Sequence, residues 1–222
     1  MNRKIIGPFL TSLLMFAVLM SLGFWQVRRL AWKENLLAEI AAAARNPPIP
    51  LGEAPRPFTK VMVRGRWDSA HRVLYGTDVR RDRLGAYLIE PLLREDAPPI
   101  LVDRGFVADG TKVADPPGDV AVVGYIRAAE HGSWWGIKDD LREQHFYTLN
   151  ARAIARAVGL AAPEPYVLVA MGARMGPPEP AHDFPELPNN HLSYAITWFS
   201  FALIDWIIFV IWVRKNWQRI DK

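Results

Sequence analysis

The chain of 222 residues contains no cysteine. That excludes disulfides, thiol redox chemistry, c-type haem attachment and thiolate-bound copper or zinc. There is also no glycine-rich phosphate loop, no HExxH pair and no GxSxG turn. No internal repeat is visible. A clustered basic face is missing too. The net charge of +4 resides in the tails, where Arg3, Lys4, Arg214, Lys215, Arg219 and Lys222 outnumber the acids, and the rest of the chain is balanced. A nucleic-acid partner is therefore not expected, whereas basic tails suit an anionic membrane surface.

What the chain does have is two long apolar runs, one near each end. Ile5 to Val27 carries no charge and is long enough to cross a bilayer as a helix. Leu192 to Val213 is interrupted only by Asp205. The first run is too long for an ordinary signal core, and no small-x-small cleavage site follows it, so it reads as an uncleaved anchor. The fold class expected is membrane α+β. Two transmembrane helices flank one antiparallel β-rich sandwich or barrel domain with a short helix. The boundaries expected are a first span at 5–27, a helical extension at 28–45, a β-rich domain at 46–190, a second span at 191–213 and a tail at 214–222. The six basic tail residues place both termini in the cytoplasm and the domain on the periplasmic side, with Arg28 and Arg29 pulling the other way and Arg45 and Arg174 at the limit of relevance.

The extension from Leu30 to Arg45 is rich in helix formers and stops at Asn46-Pro47-Pro48. The following prolines read as a stiff connector. Short strands are expected at Lys60–Trp67, Arg72–Gly76, Tyr87–Pro91, Ile100–Val107, Val120–Ile126, His145–Leu149 and Tyr166–Met171. Turns separate them, including Asp115-Pro116-Pro117-Gly118. In the first strand Val61, Val63 and Trp67 share one face, and Lys60, Arg64 and Arg66 the other. Asn150 caps a helix over Ala151–Val158 that Gly159 closes.

Polar residues gather where the spans leave the apolar layer. His191, Trp198 and Asp205 recur every seven residues and share a helix face, bordered by Tyr194, Ala195 and Ala202. Ile196, Leu203, Ile207 and Phe209 form the lipid-suited face. A central Asp costs roughly 2.5–3.5 kcal/mol on insertion scales, so the stripe faces the first span or a partner protein. Trp25, Gln26, Arg28 and Arg29 lie at the same depth as His191 and Tyr194. A neutral imidazole there can ligate a haem iron, aromatic rings can hold a macrocycle, and Arg28 or Arg29 can pair with its carboxylates. Equally, Trp, Tyr and Arg gather at interfaces without any ligand, and a histidine before a helix can simply cap it. His71, His131, His145 and His182 form no metal-spaced pair and take structural or surface roles. Asp103-Arg104-Gly105 reads as a turn with a salt bridge.

The segments Leu22 to Lys33 and Asn190 to Phe199 resemble the two signatures of the Surfeit locus protein 1 family of cytochrome c oxidase assembly factors. Gly85 to Leu92 and Leu101 to Val107 are similar to its central blocks, with Phe106 where the family has a bulkier aromatic. The resemblance implies a haem a chaperone in the bacterial inner membrane that matures the oxidase catalytic subunit and receives haem from haem a synthase. It implies His191 as axial ligand to the haem iron, with Tyr194, Trp198, Trp25, Gln26, Arg28 and Arg29 around it. Two other readings stand beside it. One is a cofactor-free membrane scaffold for an oxidase intermediate. The other is a membrane enzyme using Asp103, Arg104 or His145, which lack a convergent acid, base and nucleophile.

Overall fold

Both apolar runs fold as helices, and the segment between them folds as a sheet that closes on itself. The computed structural model describes residues 3–114, 118–130, 132, 136–173 and 176–220. The expected turn at Asp115-Pro116-Pro117, His131 and Arg174 lie outside these residues. The chain divides into two compact units, Met1–Glu39 with Glu186–Lys222, and Ile40–Pro185.

In the first unit, helix α1 (Arg3–Arg45) and helix α3 (His191–Ile220) are each long and apolar enough to cross a membrane. The last turn of α1 belongs to the second unit. There Ile40 is buried, and Lys60 Nζ donates to the Ala44 carbonyl at 2.5 Å. Asn46 and the prolines after it end the helix, since proline supplies no N–H and clashes with the preceding turn.

The second unit contains strands β1 (Ile49–Pro50), β2 (Lys60–Trp67), β3 (Val73–Arg80), β4 (Arg83–Leu93), β5 (Ile100–Ala108), β6 (Asp119–Ala128), β7 (His145–Phe146) and β8 (Tyr166–Ala170), with helix α2 (Ala151–Val158) between the last two. The sheet order is β1-β2-β6-β8-β5-β4-β3-β7, and β2 also pairs with β4. That extra pairing, Arg66 with Leu93 and Trp67 with Leu92, joins β2, β6, β8, β5 and β4 into a five-stranded barrel. Gly65 makes the closure possible, because a Cβ there would stand 2.2 Å from the Leu93 carbonyl oxygen. The sheet is antiparallel except where β1 meets β2, β3 meets β7 and β5 meets β8. β8 inserts between β5 and β6. Antiparallel to β6, it runs parallel to β5.

Strand alternation divides the core in two. Val61, Val63, Leu92, Ile100, Val102, Val122, Ile126, Tyr166 and Leu168 form one cluster, drawn from all five barrel strands. Ile89, Leu101 and Val167, on the opposite face, pack with Phe146, Leu149 and Ile154. Helix α2 therefore covers the outside of the barrel. Its start is capped as expected, with Asn150 Oδ1 accepting from Ala153 N at 3.0 Å, and Gly159 ends it in the left-handed conformation.

Two local expectations are corrected. Asp103-Arg104-Gly105 lies within the strand expected at Ile100–Val107 and Arg104 does form a salt bridge, with Glu90, but there is no turn: Arg104 is an extra residue of β5 between the Leu88–Gly105 and Ile89–Asp103 pairs. Gly105 after the bulge has φ of 114° and lies against the Glu179 carbonyl, where no side chain would fit. The connector after α1 also contributes a strand, since Ile49 and Pro50 pair with β2 at the sheet edge, where a missing N–H is tolerated.

Candidate functional site

The two long helices meet along a seam spaced by alternating steps of three and four residues. On α1 it runs through Ser12, Phe16, Leu19, Gly23 and Gln26. On α3 the same spacing gives His191, Ala195, Trp198, Ala202, Asp205 and Phe209, although Trp198 packs on Phe201 of its own helix. Leu19, Gln26, Ala195 and Ala202 are buried. Small residues let the axes approach, as packing in lipid requires. A Cβ on Gly23 would stand 2.4 Å from the Phe199 ring. Phe24 meets Phe199 edge-on at 5.4 Å, and Phe16 lies 6.1 Å from Trp206. Phe209 was expected on the lipid face, but it packs 5.8 Å from Phe9 of α1. It lies four residues beyond Asp205 and so returns to the same face.

Two polar pairs bridge the seam. His191 Nδ1 lies 2.8 Å from Gln26 Oε1, and the Ser12 hydroxyl donates to Asp205 Oδ2 at 3.0 Å. His191 opens α3, and the Asn190 carbonyl accepts from Tyr194 N across that first turn at 3.2 Å. Gln26 is 8% exposed, so its amide carbonyl has little access to water. With the carbonyl facing the ring, His191 donates from Nδ1. The imidazole then carries its lone pair on Nε2.

The remaining candidates are placed differently. Trp25 and Tyr194 are about half exposed, Arg28 and Arg29 are exposed, and Trp198 is half-buried against Phe201. The Arg29 guanidinium stacks 3.9 Å above Trp32. The structure thus joins Gln26 and His191 directly and leaves Trp25, Tyr194, Arg28 and Arg29 on the surface. Sequence reasoning missed Ser12. The signal was present, because Ser12 and Gln26 are two heptads apart on one helix, as His191 and Asp205 are on the other.

The barrel's polar groups belong to separate networks. Glu90 is fully buried and accepts from Arg104 Nη1 at 2.5 Å, while that guanidinium lies 4.5 Å above the Trp67 ring. Asp103 faces away from that pair and accepts from Gly105 N at 3.0 Å. Burial pushes its pKa up to about 6, against the pull of that hydrogen bond and of Arg127 and Arg80. The hydrogen bond from Tyr87 holds Asp78 below its usual value, with help from Arg80. Burial also pushes Tyr125 up to about 12, and its ring stacks 4.8 Å from Phe184. His145 Nε2 lies 2.5 Å from the Gly76 carbonyl, and its ring stacks on Tyr147. Asp103, Arg104 and His145 therefore each have their own partners and do not converge. His71 pairs with Asp68 at 2.6 Å, and exposed His182 lies near Asp183. No cluster of three metal-ligating side chains occurs among the described residues.

A family model described as the SURF1 family matches residues 13–203. The chain belongs to the SURF1 family. That match takes in the Gln26–His191 pair and the whole barrel. Among curated relatives, a SURF1-like protein of Rickettsia conorii is 28% identical, covering 93% of this chain and 90% of its own. Surfeit locus protein 1 of Xenopus tropicalis is 30% identical over 90% of this chain and 73% of its own. Surfeit locus protein 1 of Mus musculus is 27% identical over 92% and 75%.

Proposed function

We propose that this chain is a non-enzymatic assembly factor for haem-copper cytochrome c oxidase that holds haem a for delivery to the catalytic subunit. It would sit in a bacterial inner membrane with both termini cytoplasmic and the barrel periplasmic, receiving its cargo from haem a synthase. The observation that carries the reading is the hydrogen bond between His191 Nδ1 and Gln26 Oε1. A ligating histidine commonly donates its other ring N–H to an oxygen, which fixes the tautomer and raises ligand basicity. When bound, haem supplies the iron that a free imidazole nitrogen can coordinate. In this chain His191 offers Nε2 and Gln26 fixes the ring. Trp25, Tyr194 and Trp198 offer apolar faces, and Arg28 and Arg29 offer guanidinium groups to carboxylates. The family membership supports an oxidase-assembly role.

The test is the visible spectrum of detergent-purified protein co-produced with the haem a biosynthetic enzymes. His191→Ala is expected to lower haem content at least tenfold. Unchanged content would remove His191 from the mechanism. A cofactor-free scaffold is the second reading, favoured by the carboxyl group that Asp205 places within the apolar stretch of α3. Wild-type protein that is colourless under those conditions would select it.

A further inference from the structure

Below Ala202 the helix seam opens. A groove with a cavity volume of about 460 Å³ lies there, lined by Thr11, Ser12, Met15, Asp205, Ile208 and Trp212. Its walls are mostly apolar, and a carboxylate lies among them. The Ser12 hydroxyl donates to Oδ2 of Asp205, and no other protein group donates to this side chain among the described residues. Thr11, the other hydroxyl in the groove, donates instead to the Gly7 carbonyl. A carboxylate offers about four acceptor sites, so one serine leaves most of them open. Asp205 lies about 21 Å along α3 from His191 at ~1.5 Å per residue, well inside the apolar stretch. Water is scarce at that depth, so a membrane carboxylate is ordinarily matched by another side chain.

The occupant follows from charge. Neither Ile5–Val27 nor Leu192–Val213 contains Lys, Arg or His, so a second copy of this chain offers no basic residue within its apolar runs at this level. The geometry points to a docking groove for a transmembrane helix of a different membrane protein, whose Lys or Arg side chain pairs with Asp205. Ser12 is a positioning residue in this arrangement, holding Oδ2 so that Oδ1 meets the incoming cation. The inference does not depend on haem binding at His191.

A photocrosslinking amino acid in place of Ile208, in the full chain in its native membrane, tests it. The same probe at Ile196, an exposed residue on the opposite face, serves as the control. The expected result is an adduct from position 208, absent from 196, whose crosslinked peptide maps to a membrane span containing Lys or Arg. Asp205→Asn keeps the shape and the acceptor for Ser12 but removes the charge, and it should reduce the adduct at least fivefold. Asp205→Glu should restore it. An adduct with a second copy, with lipid alone or with a span lacking a basic residue would overturn the inference. So would an absent adduct, or one undiminished in Asp205→Asn. Haem content of the same variants separates this outcome from failure at His191, because Asp205 substitutions should leave it within twofold of wild type.

Discussion

Partly buried polar side chains are handled differently in the barrel and in the helix pair. In the barrel they form networks. Arg127 donates to both Tyr75 and Glu130, and Glu130 also accepts from Tyr75 and from Leu149 N. Arg80 donates to Asp78 and Tyr87, which themselves share a hydrogen bond. Across the helix pair the polar contacts are single, Gln26 with His191 and Ser12 with Asp205. A saturated network rigidifies a fold. A singly bonded imidazole or carboxylate keeps capacity for something else. The contrast is one of degree, because the buried Glu90 Oε1 and Tyr166 hydroxyl leave the barrel two open positions of its own.

The sharpest way to break the contrast is at Glu90 and Arg104. Arg104→Met leaves a fully buried carboxylate without its cation. It should destabilise the folded protein by about 3–5 kcal/mol, read as a shift in the denaturation midpoint in detergent. A loss under 1 kcal/mol would mean that the barrel interior tolerates an open charge as the helix pair does.

Next is Asp103. Its pKa is about 6 in the folded chain against an ordinary aspartate value of 3.8, so the folded state holds the proton more tightly than the unfolded state. Its contribution therefore falls as pH rises from about 4, and the full penalty of about 3 kcal/mol is present above pH 6. Asp103→Asn keeps an acceptor for Gly105 N and should remove that slope. Thermal denaturation at pH 4.5 and 7.5 is the measurement. Equal pH dependence in both proteins would show that Asp103 is not the titrating group.

At the helix pair, Gln26→Leu removes the partner that fixes the His191 tautomer. Haem affinity should fall 10–100-fold, as for other groups that orient a ligand, while the barrel's denaturation midpoint stays unchanged. Retained affinity would assign Gln26 to helix packing alone. The smallest effect is at the α2 cap, where Asn150→Ala should cost about 1 kcal/mol of domain stability and nothing in haem content.

How far the sequence reveals this molecule depends on the range of the interaction. β2 was legible because Val61 and Val63 alternate with Lys60 and Arg64. α2 was legible because Asn150 and Gly159 punctuate it. The seam face of α3 was legible because His191, Trp198 and Asp205 recur every seven residues. Barrel closure was not, since Trp67 meets Leu92 through a pairing that no local pattern encodes. The bulge at Arg104 was hidden because Asp and Gly beside an apolar strand also suit a turn. β1 was hidden because Pro50 reads as linker when its edge position is unknown. At the candidate site, Gln26 and His191 could be matched by depth, but Ser12 emerges only when the heptads of the two helices are aligned against each other.

The insertion of β8 between β5 and β6 has a further consequence for synthesis. Residues 100 to 128 supply both neighbours of a gap that stays empty until residues 166 to 170 arrive. The nascent chain must therefore carry two unpaired strand borders for some forty residues of elongation, the kind of delayed, long-range pairing that slows folding and invites mispairing. The ring locks only about twenty residues before α3 begins, so maturation of the barrel and insertion of the second helix fall close together in time.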